Sequence, residues 1–218
     1  NQAVKTVSFM MLITLFGKIL GMVREQLLAA NYGTDMQAAA FLLASRIPRT
    51  FFDVIFASAI SASFIPVFVE YLQKKGRQEA FSLANRFITM ISTVTLLMML
   101  LGMAFAKPLT LLIAPGYDVE TVTLCVGLLR MLFPTMLFTA VAFSFVGILQ
   151  SLEEFNVPAA LSVVSNGVLI LYYIFFNEKF GILGLTVAFL IGWAMQAGIQ
   201  IPSLWKKGYH YHPDFHFK

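Results

Sequence analysis

The sequence predicts an all-α, polytopic membrane protein in which six transmembrane helices form one lobe. Of its 218 residues, 59% are hydrophobic and 12% are charged, and the mean hydropathy is +0.80. Soluble domains are roughly 45–50% apolar and about 25% charged, so this chain has too few charges to cover a surface that faces water. A single cysteine and the lack of a glycine at every third position exclude a disulfide scaffold and collagen.

Six stretches are long enough to cross a bilayer, because a spanning helix needs about 20 mainly apolar residues. They cover residues 7–30, 36–72, 80–106, 119–149, 158–176 and 182–204. Turn signals or polar residues separate them. The second stretch is too long for one straight crossing. We expect interruptions at Pro48 and Pro66, because proline breaks the hydrogen-bond ladder of a helix.

Lysine and arginine in the connections predict a cytoplasmic N-terminus, because cytoplasmic loops hold an excess of these residues. In that orientation seven of them lie inside: Lys5, Lys74, Lys75, Arg77, Lys206, Lys207 and Lys218. Only Lys107 and Lys179 lie outside. The net charge of +4 is explained by these loops, so no nucleic-acid partner is expected.

Both ends of the sequence suggest a piece of a longer polypeptide. The chain opens on Asn1 rather than methionine, and its first apolar stretch is too long for a signal-peptide core and lacks a cleavage site. Residues 206–218 form a basic and aromatic tail. We therefore expect residues 1–205 to be one lobe and the tail to lead to a second lobe.

Charged residues inside the apolar stretches are the most informative feature. The cations are Lys18, Arg24, Arg46 and Arg49, and the acidic residues beside them are Glu25 and Asp53. Each charge at the bilayer centre costs about 2.5–3.5 kcal/mol on insertion scales, so these side chains must face a cavity or pair. The spacing of Arg46, Arg49 and Asp53 places them on one helical face, and Lys18 shares a face with Glu25.

Pairing of these charges would leave two positive charges over. A cavity with surplus positive charge suits a phosphate or diphosphate, since guanidinium groups bind phosphate oxygens bidentately and an ammonium group acts as a point charge. The alternative is that the charges pair only to hold helices together.

Weaker signals accompany these charges. Arg130 and Asn166 are candidates for the lining of a cavity, with an interfacial position as the alternative for Arg130. Gly17 and Gly21 form a pair of small residues that permits close helix approach. Prolines inside the stretches mark helix bends that could line a cavity or merely serve packing: Pro48, Pro134 and Pro158.

No motif for a metal or for catalysis is present. His210, His212 and His216 cluster in the tail, but no set of cysteines and carboxylates at metal-site spacing accompanies them. The sequence has no GxSxG elbow, no P-loop and no HExxH motif. We therefore expect no enzyme, no metal and no cofactor.

Several short motifs follow one another along nearly all of the chain. The longest is FGKILGMVRE at residues 16–25. The others are Tyr32-Gly33, Ala40-Phe41, Arg46-Ile47-Pro48, SASFIPVFVE at 61–70, APGY at 114–117, Phe133-Pro134, and FNVPA at 155–159 with Asn166. Together, these motifs resemble the lipid II flippase family, also called MurJ or MviN.

The resemblance implies a bacterial inner-membrane transporter of the multidrug/oligosaccharidyl-lipid/polysaccharide exporter type, with two six-helix lobes around a central cavity. In that family, cations hold the diphosphate of a lipid-linked peptidoglycan precursor during alternating access. Arg24 matches the family arginine, and Lys18 stands where arginine is usual. Glu25 stands for the acidic neighbour, and Arg46 matches a basic position before the proline. The implied partners are lipid II or a related polyprenyl-diphosphate glycan, membrane lipids and the second lobe.

Two positions depart from the family pattern. Ala39 stands where the family has an acidic residue, and Phe52 replaces an arginine, for which Arg49 and Arg130 could compensate. Two alternatives to a lipid II flippase therefore stay open. One is an exporter of another polyprenyl-diphosphate glycan or a drug, although a drug or cation exporter would favour acidic rather than basic residues. The other is a membrane scaffold that transports nothing.

Overall fold

A computed structural model of the protein describes residues 2–33 and 35–214. Six helical segments within these ranges are long and apolar enough to cross a membrane, as predicted: Gln2–Tyr32, Met36–Lys74, Arg77–Ala104, Val119–Ser151, Asn156–Phe175 and Asn177–Lys206. The same ranges contain no β-strand. The chain therefore has the all-α fold of a multi-pass membrane protein.

The first span is helix α1 (Gln2–Tyr32), and the second begins with helix α2 (Met36–Ile55). Asp35 caps α2, because its carboxylate accepts a hydrogen bond from the amide of Ala38 at 3.0 Å. Helix α2 runs through Pro48 without a break, so the predicted interruption at this residue is wrong. Pro48 is buried inside the bundle, where packed neighbours tolerate the loss of one backbone hydrogen bond.

The interruption of the second span lies at Phe56 instead. A π-helical segment (Ala59–Phe64) follows, and helix α3 (Ile65–Lys74) completes the span. Pro66 stands in the first turn of α3, directly after the π-helical segment, and its missing N–H marks the change of hydrogen-bonding pattern between the two. The sequence therefore located one edge of the irregular segment through Pro66.

Helix α4 (Arg77–Ala104) is the third span, and a short helix, α5 (Ala106–Ile113), continues from it after a break at Phe105. The sequence predicts a connection, not a helix, at the position of α5. Pro108 explains the break, because it has no N–H for the Ala104 carbonyl and its ring would clash with that carbonyl in a continuous helix.

Each of the last three spans is divided into two helices, and the sixth also has a kink at Gly181, whose φ is +64°. Their helices are α6 (Val119–Leu132) and α7 (Thr135–Ser151), α8 (Asn156–Ala159) and α9 (Leu161–Phe175), and α10 (Asn177–Gly198) and α11 (Gln200–Lys206). Pro134 lies at the junction of α6 and α7. Pro158 lies in α8, just before the break at Ala160.

The fourth span forms the centre of the lobe. In its most apolar window 67% of the residues are buried, against 6% in the first span. Helices α2, α4 and α10 pack around α6 and α7, whereas α1 packs mainly against α9. Helix α1 therefore presents most of its surface outward, and much of that surface is apolar, including Met11, Leu12 and Met22.

The segment after the sixth span folds back along α4. Gly208 has a φ of +93°, which permits the turn. Tyr209 is then almost fully buried, and its hydroxyl donates to Asn85 Oδ1 at 2.8 Å. Burial raises the pKa of the Tyr209 hydroxyl well above its usual range, so the group stays neutral. His216 and Lys218 lie outside the described residues.

Replacing Gly147 tests this packing. A Cβ added at Gly147 would lie 2.6 Å from the Ile65 side chain, whereas one added at Gly127 meets nothing within 4 Å. We expect Gly147→Val to lower the free energy of unfolding by about 1–3 kcal/mol more than Gly127→Val, because overpacking displaces neighbours. The thermal midpoints of the two variants in detergent measure the difference, and equal midpoints would contradict the packing of α7 against α3.

Candidate anion-binding site

Small residues let α1 approach α9 closely. Gly17 is buried, and a Cβ added there would lie 2.2 Å from Oγ of Ser162. A Cβ added at Gly21 would lie 3.4 Å from the amide nitrogen of Asn166. The pair of glycines therefore provides the close helix contact that the sequence predicts.

Asn166 joins Arg24 to the backbone of α1. The side chain is 7% exposed, and its Nδ2 donates to the Gly17 carbonyl at 3.0 Å. Its Oδ1 accepts a hydrogen bond from Arg24 Nη1 at 2.9 Å. Because both ends of the amide are engaged, one edge of the Arg24 guanidinium is held in a fixed position.

Glu25 is the acidic neighbour of Arg24. Arg24 Nη2 lies 3.7 Å from Glu25 Oε1, and the Glu25 side chain is 76% exposed. A long contact to an exposed carboxylate is a weak ion pair. Glu25 therefore offsets the charge of Arg24 without enclosing it, and an anionic ligand could compete for the guanidinium.

The four cations on α1 and α2 lie at two depths. At 1.5 Å per residue, Arg24 is about 12 Å from the C-terminal end of α1 and Arg46 is about 15 Å from the N-terminal end of α2. Lys18 and Arg49 lie about 20 Å from the same two ends. Counted along each helix from these two ends, the cations therefore lie at two levels of the spanning segments.

Arg49 is satisfied within the bundle. Its Nε donates to Asp53 Oδ1 at 3.0 Å, and this is the partner that the sequence suggests. Its guanidinium carbon lies 4.9 Å from the ring centroid of Phe143 and 5.4 Å from that of Trp193. Arg49 therefore ties α2 to α7 and α10. The nearby Phe52 is fully buried beside Phe143, so this position belongs to the apolar core.

Lys18 and Arg46 are the cations without a counter-charge. Both side chains are exposed, and the described part of the chain offers neither an ion-pair partner. Lys18 also lines an open depression of about 590 Å³ that follows α1 between Val7 and Leu15. After the pairs Arg24–Glu25 and Arg49–Asp53 are formed, two positive charges therefore remain.

Arg130 lies apart from this group. Its Nε donates to the Met103 carbonyl at 3.1 Å, at the end of α4. The last carbonyls of a helix lack helical partners, and a cation beside them is stabilised by the helix dipole. None of the contacts of Arg130 within the described ranges joins it to the other four cations, so its place in the cavity stays a prediction.

Sequence reasoning missed several residues that hold the cations. Phe143 and Trp193 are distant from Arg49 in the sequence, so no spacing rule connects them. A second polar contact ties the end of α1 to α10, because Tyr32 donates its hydroxyl hydrogen bond to Asn177. Asn177 in turn donates to Asn31 at 3.1 Å. The only sequence signal for this contact was an asparagine beside an aromatic residue at the end of α1 and at the start of α10.

The described residues contain no group of three or more His, Cys, Asp or Glu that could hold a metal ion. His210 stacks on Trp205, with ring centroids 5.6 Å apart, and the backbone amide of His212 donates to Asn85. These contacts account for the two histidines that the structure describes.

Known proteins resemble this chain over most of its length. The family model described as lipid II flippase MurJ matches residues 28–218. A probable lipid II flippase MurJ from Buchnera aphidicola subsp. Acyrthosiphon pisum is 31% identical over 210 residues, which cover 94% of this chain and 41% of that protein. The lipid II flippase MurJ of Burkholderia cenocepacia is 26% identical over 197 residues, covering 88% of this chain and 38% of that protein.

A solved structure is also similar to this chain. It is that of a lipid II flippase MurJ in an inward closed conformation, and it matches with a TM-score of 0.78 and 26% identity. The match covers 94% of this chain and 43% of the other. The chain thus spans about two fifths of the length of the relatives that it matches.

Exchanging Arg49 and Arg46 for methionine separates a structural cation from a free one. Arg49→Met removes an ion pair and two aromatic contacts, and we expect it to destabilise the protein by about 1–2 kcal/mol. Arg46→Met removes the same charge from an exposed side chain, and we expect a change within about 0.5 kcal/mol. Thermal unfolding in detergent compares them, and an equal loss in both would refute the structural role of Arg49.

Proposed function

Because the chain belongs to the lipid II flippase MurJ family, we propose that it forms the first lobe of a flippase. The cargo is lipid II, a lipid-linked peptidoglycan precursor, which moves from the inner to the outer leaflet of the bacterial cytoplasmic membrane. The observation that carries this proposal is the surplus of positive charge on α1 and α2, within the first two membrane-spanning segments. The protein is a transporter, and no covalent chemistry is required of it.

The cations would hold the diphosphate of the cargo. Arg24 is the best positioned of them. Asn166 fixes one edge of its guanidinium, and at the other edge a phosphate has to displace only a weak ion pair with Glu25. Lys18 and Arg46 add charge at neighbouring depths, and Arg49 supports α2 from within the bundle. Charge-assisted hydrogen bonds to phosphate are the strong ones, and bidentate arginine contacts also fix orientation.

The loose packing of α1 suits alternating access. Transport of this type rocks two halves of a protein around a site near the bilayer midplane. Helix α1 carries Lys18 and Arg24, packs mainly on α9, and leaves its remaining faces for a cavity and a second lobe. A sugar diphosphate cannot cross hydrocarbon unaided, so a polar cavity that opens to one side at a time is what the task requires.

The proposed orientation places the N-terminus in the cytoplasm. The cluster Lys74, Lys75 and Arg77 between the second and third spans then lies on the same side as Lys206 and Lys207 after the sixth. In this orientation the α1–α2 turn and helix α5 lie on the outer side of the lobe.

Two alternatives differ from this proposal in cargo or in class. Another polyprenyl-diphosphate glycan would use the same cations, since the recognised group is the diphosphate. A scaffold that transports nothing is favoured only by the ion pairs Arg24–Glu25 and Arg49–Asp53. The uncompensated Lys18 and Arg46 argue against a scaffold, because charges that only hold helices together would each have a counter-charge.

Loss of Arg24 should abolish transport. We expect the full-length parent gene to rescue a bacterium depleted of its own lipid II flippase, and Arg24→Ala to fail at a normal membrane level. Losing one charge-assisted contact of about 1.5–3 kcal/mol corresponds to roughly 10–100-fold in affinity. Lys179→Ala, in the first turn of α10, is the matched control and should rescue.

The double change Arg24→Ala with Glu25→Ala separates a flippase from a scaffold. It removes both members of the ion pair, so a scaffold should tolerate it, whereas a flippase should remain inactive. Failure of a well-expressed parent would instead point to another polyprenyl-linked glycan as the cargo.

Replacing Asn166 tests whether it positions Arg24. Asn166→Asp puts a carboxylate against the guanidinium and neutralises it, whereas Asn166→Ala frees the guanidinium but keeps its charge. We expect binding of lipid II by the purified protein to fall further in Asn166→Asp than in Asn166→Ala. Equal losses in the two variants would instead indicate that Asn166 acts only through its bond to the Gly17 carbonyl, which both variants lack.

A further inference from the structure

A second feature of the lobe lies away from α1, on the surface around the break between α4 and α5. An open groove of about 320 Å³ is lined only by apolar residues of α2, α4, α5 and the α6–α7 region, among them Leu101, Phe105 and Phe133. Gly102 leaves room for the ring of Phe133 at the bottom of the groove, because a Cβ added at Gly102 would lie 2.4 Å from that ring. The break at Phe105 and the missing side chain at Gly102 together form the groove.

A cation stands beside this groove. Arg130 precedes Phe133 by three residues, so the two share a face of the fourth span. The bond from Arg130 Nε to the Met103 carbonyl holds the guanidinium next to Gly102, and the side chain is exposed. The two terminal nitrogens of Arg130 have no acceptor in the part of the chain that the structure describes.

The charge decides what the groove selects. Lipid tails are as apolar as leucine side chains, so an apolar groove alone gives little preference for one lipid over another. A fixed guanidinium at the rim of the groove gives a preference for anionic lipids, because basic groups between transmembrane helices attract anionic headgroups. Met103 is the second-last residue of α4, so its bond holds Arg130 at the end of the third span, where the phosphate of a neighbouring lipid can approach the guanidinium.

We propose that this groove binds an anionic phospholipid of the surrounding bilayer, with an acyl chain against Leu101 and Phe133 and its phosphate on Arg130. In the proposed orientation the lipid belongs to the outer leaflet. The site is separate from the cations of α1 and α2, and it does not depend on lipid II as the cargo. Arg130 thereby has a ligand of its own in addition to the α4 carbonyl.

Photocrosslinking from the groove tests this site. The full-length protein carries p-benzoylphenylalanine at Leu101 or, as a control, at Leu100 in vesicles of equal phosphatidylglycerol and phosphatidylcholine. Both leucines are more than half exposed and adjacent in α4, but Leu100 does not line the groove. We expect phosphatidylglycerol adducts to exceed phosphatidylcholine adducts several-fold at Leu101 and to match them at Leu100.

Charge variants identify the headgroup contact. Arg130→Gln keeps a donor for the Met103 carbonyl and should bring the adduct ratio at Leu101 to that at Leu100, whereas Arg130→Lys and Lys179→Gln should leave the excess. Equal ratios at the two positions of the parent protein would overturn the proposal. So would an adduct between Leu101 and another segment of the protein, because that segment would then cover the groove.

Discussion

Asn166 stands where α1 joins the rest of the lobe, with its nitrogen on the Gly17 carbonyl and its oxygen on Arg24. This amide, the two glycines opposite α9 and the bond from Tyr32 to Asn177 hold α1 against the lobe. The same amide orients the cation that is best placed to bind an anion. Asn166 therefore contributes both to the packing of α1 and to the preparation of the site.

Arginines at membrane depth serve three different purposes here, and their partners decide which. Arg24 is held at one edge by a neutral amide and keeps its charge available. Arg49 is balanced by Asp53 and covered by two aromatic rings, so its charge stabilises helix packing. Arg130 bonds a carbonyl freed by the end of α4. Each of these three sets of contacts lowers the free-energy cost of placing a charged side chain in the membrane.

Helix breaks supply the irregular surface that a bundle of straight helices would lack. The π-helical segment, the break at Phe105 and the junctions at Pro134 and Ala160 each change the course of a span. Backbone groups that a break frees inside a membrane need protein partners, and the bond from Arg130 to Met103 is one of them. The breaks and the charged side chains are thus linked by the same requirement.

The sequence by itself determined the class, the six spans and the four cations, because length, hydropathy and charge are local properties that a bilayer reads directly. It also placed a close helix contact at Gly17 and Gly21. It misplaced the interruption of the second span at Pro48 and did not foresee α5. Only the tertiary structure decided which cations lack a counter-charge, which one is held by an ion pair and aromatic rings, and which one bonds the end of a helix. Asn166, Phe143 and Trp193 meet Arg24 and Arg49 across large sequence separations, and helix packing, which no spacing rule encodes, brings them together.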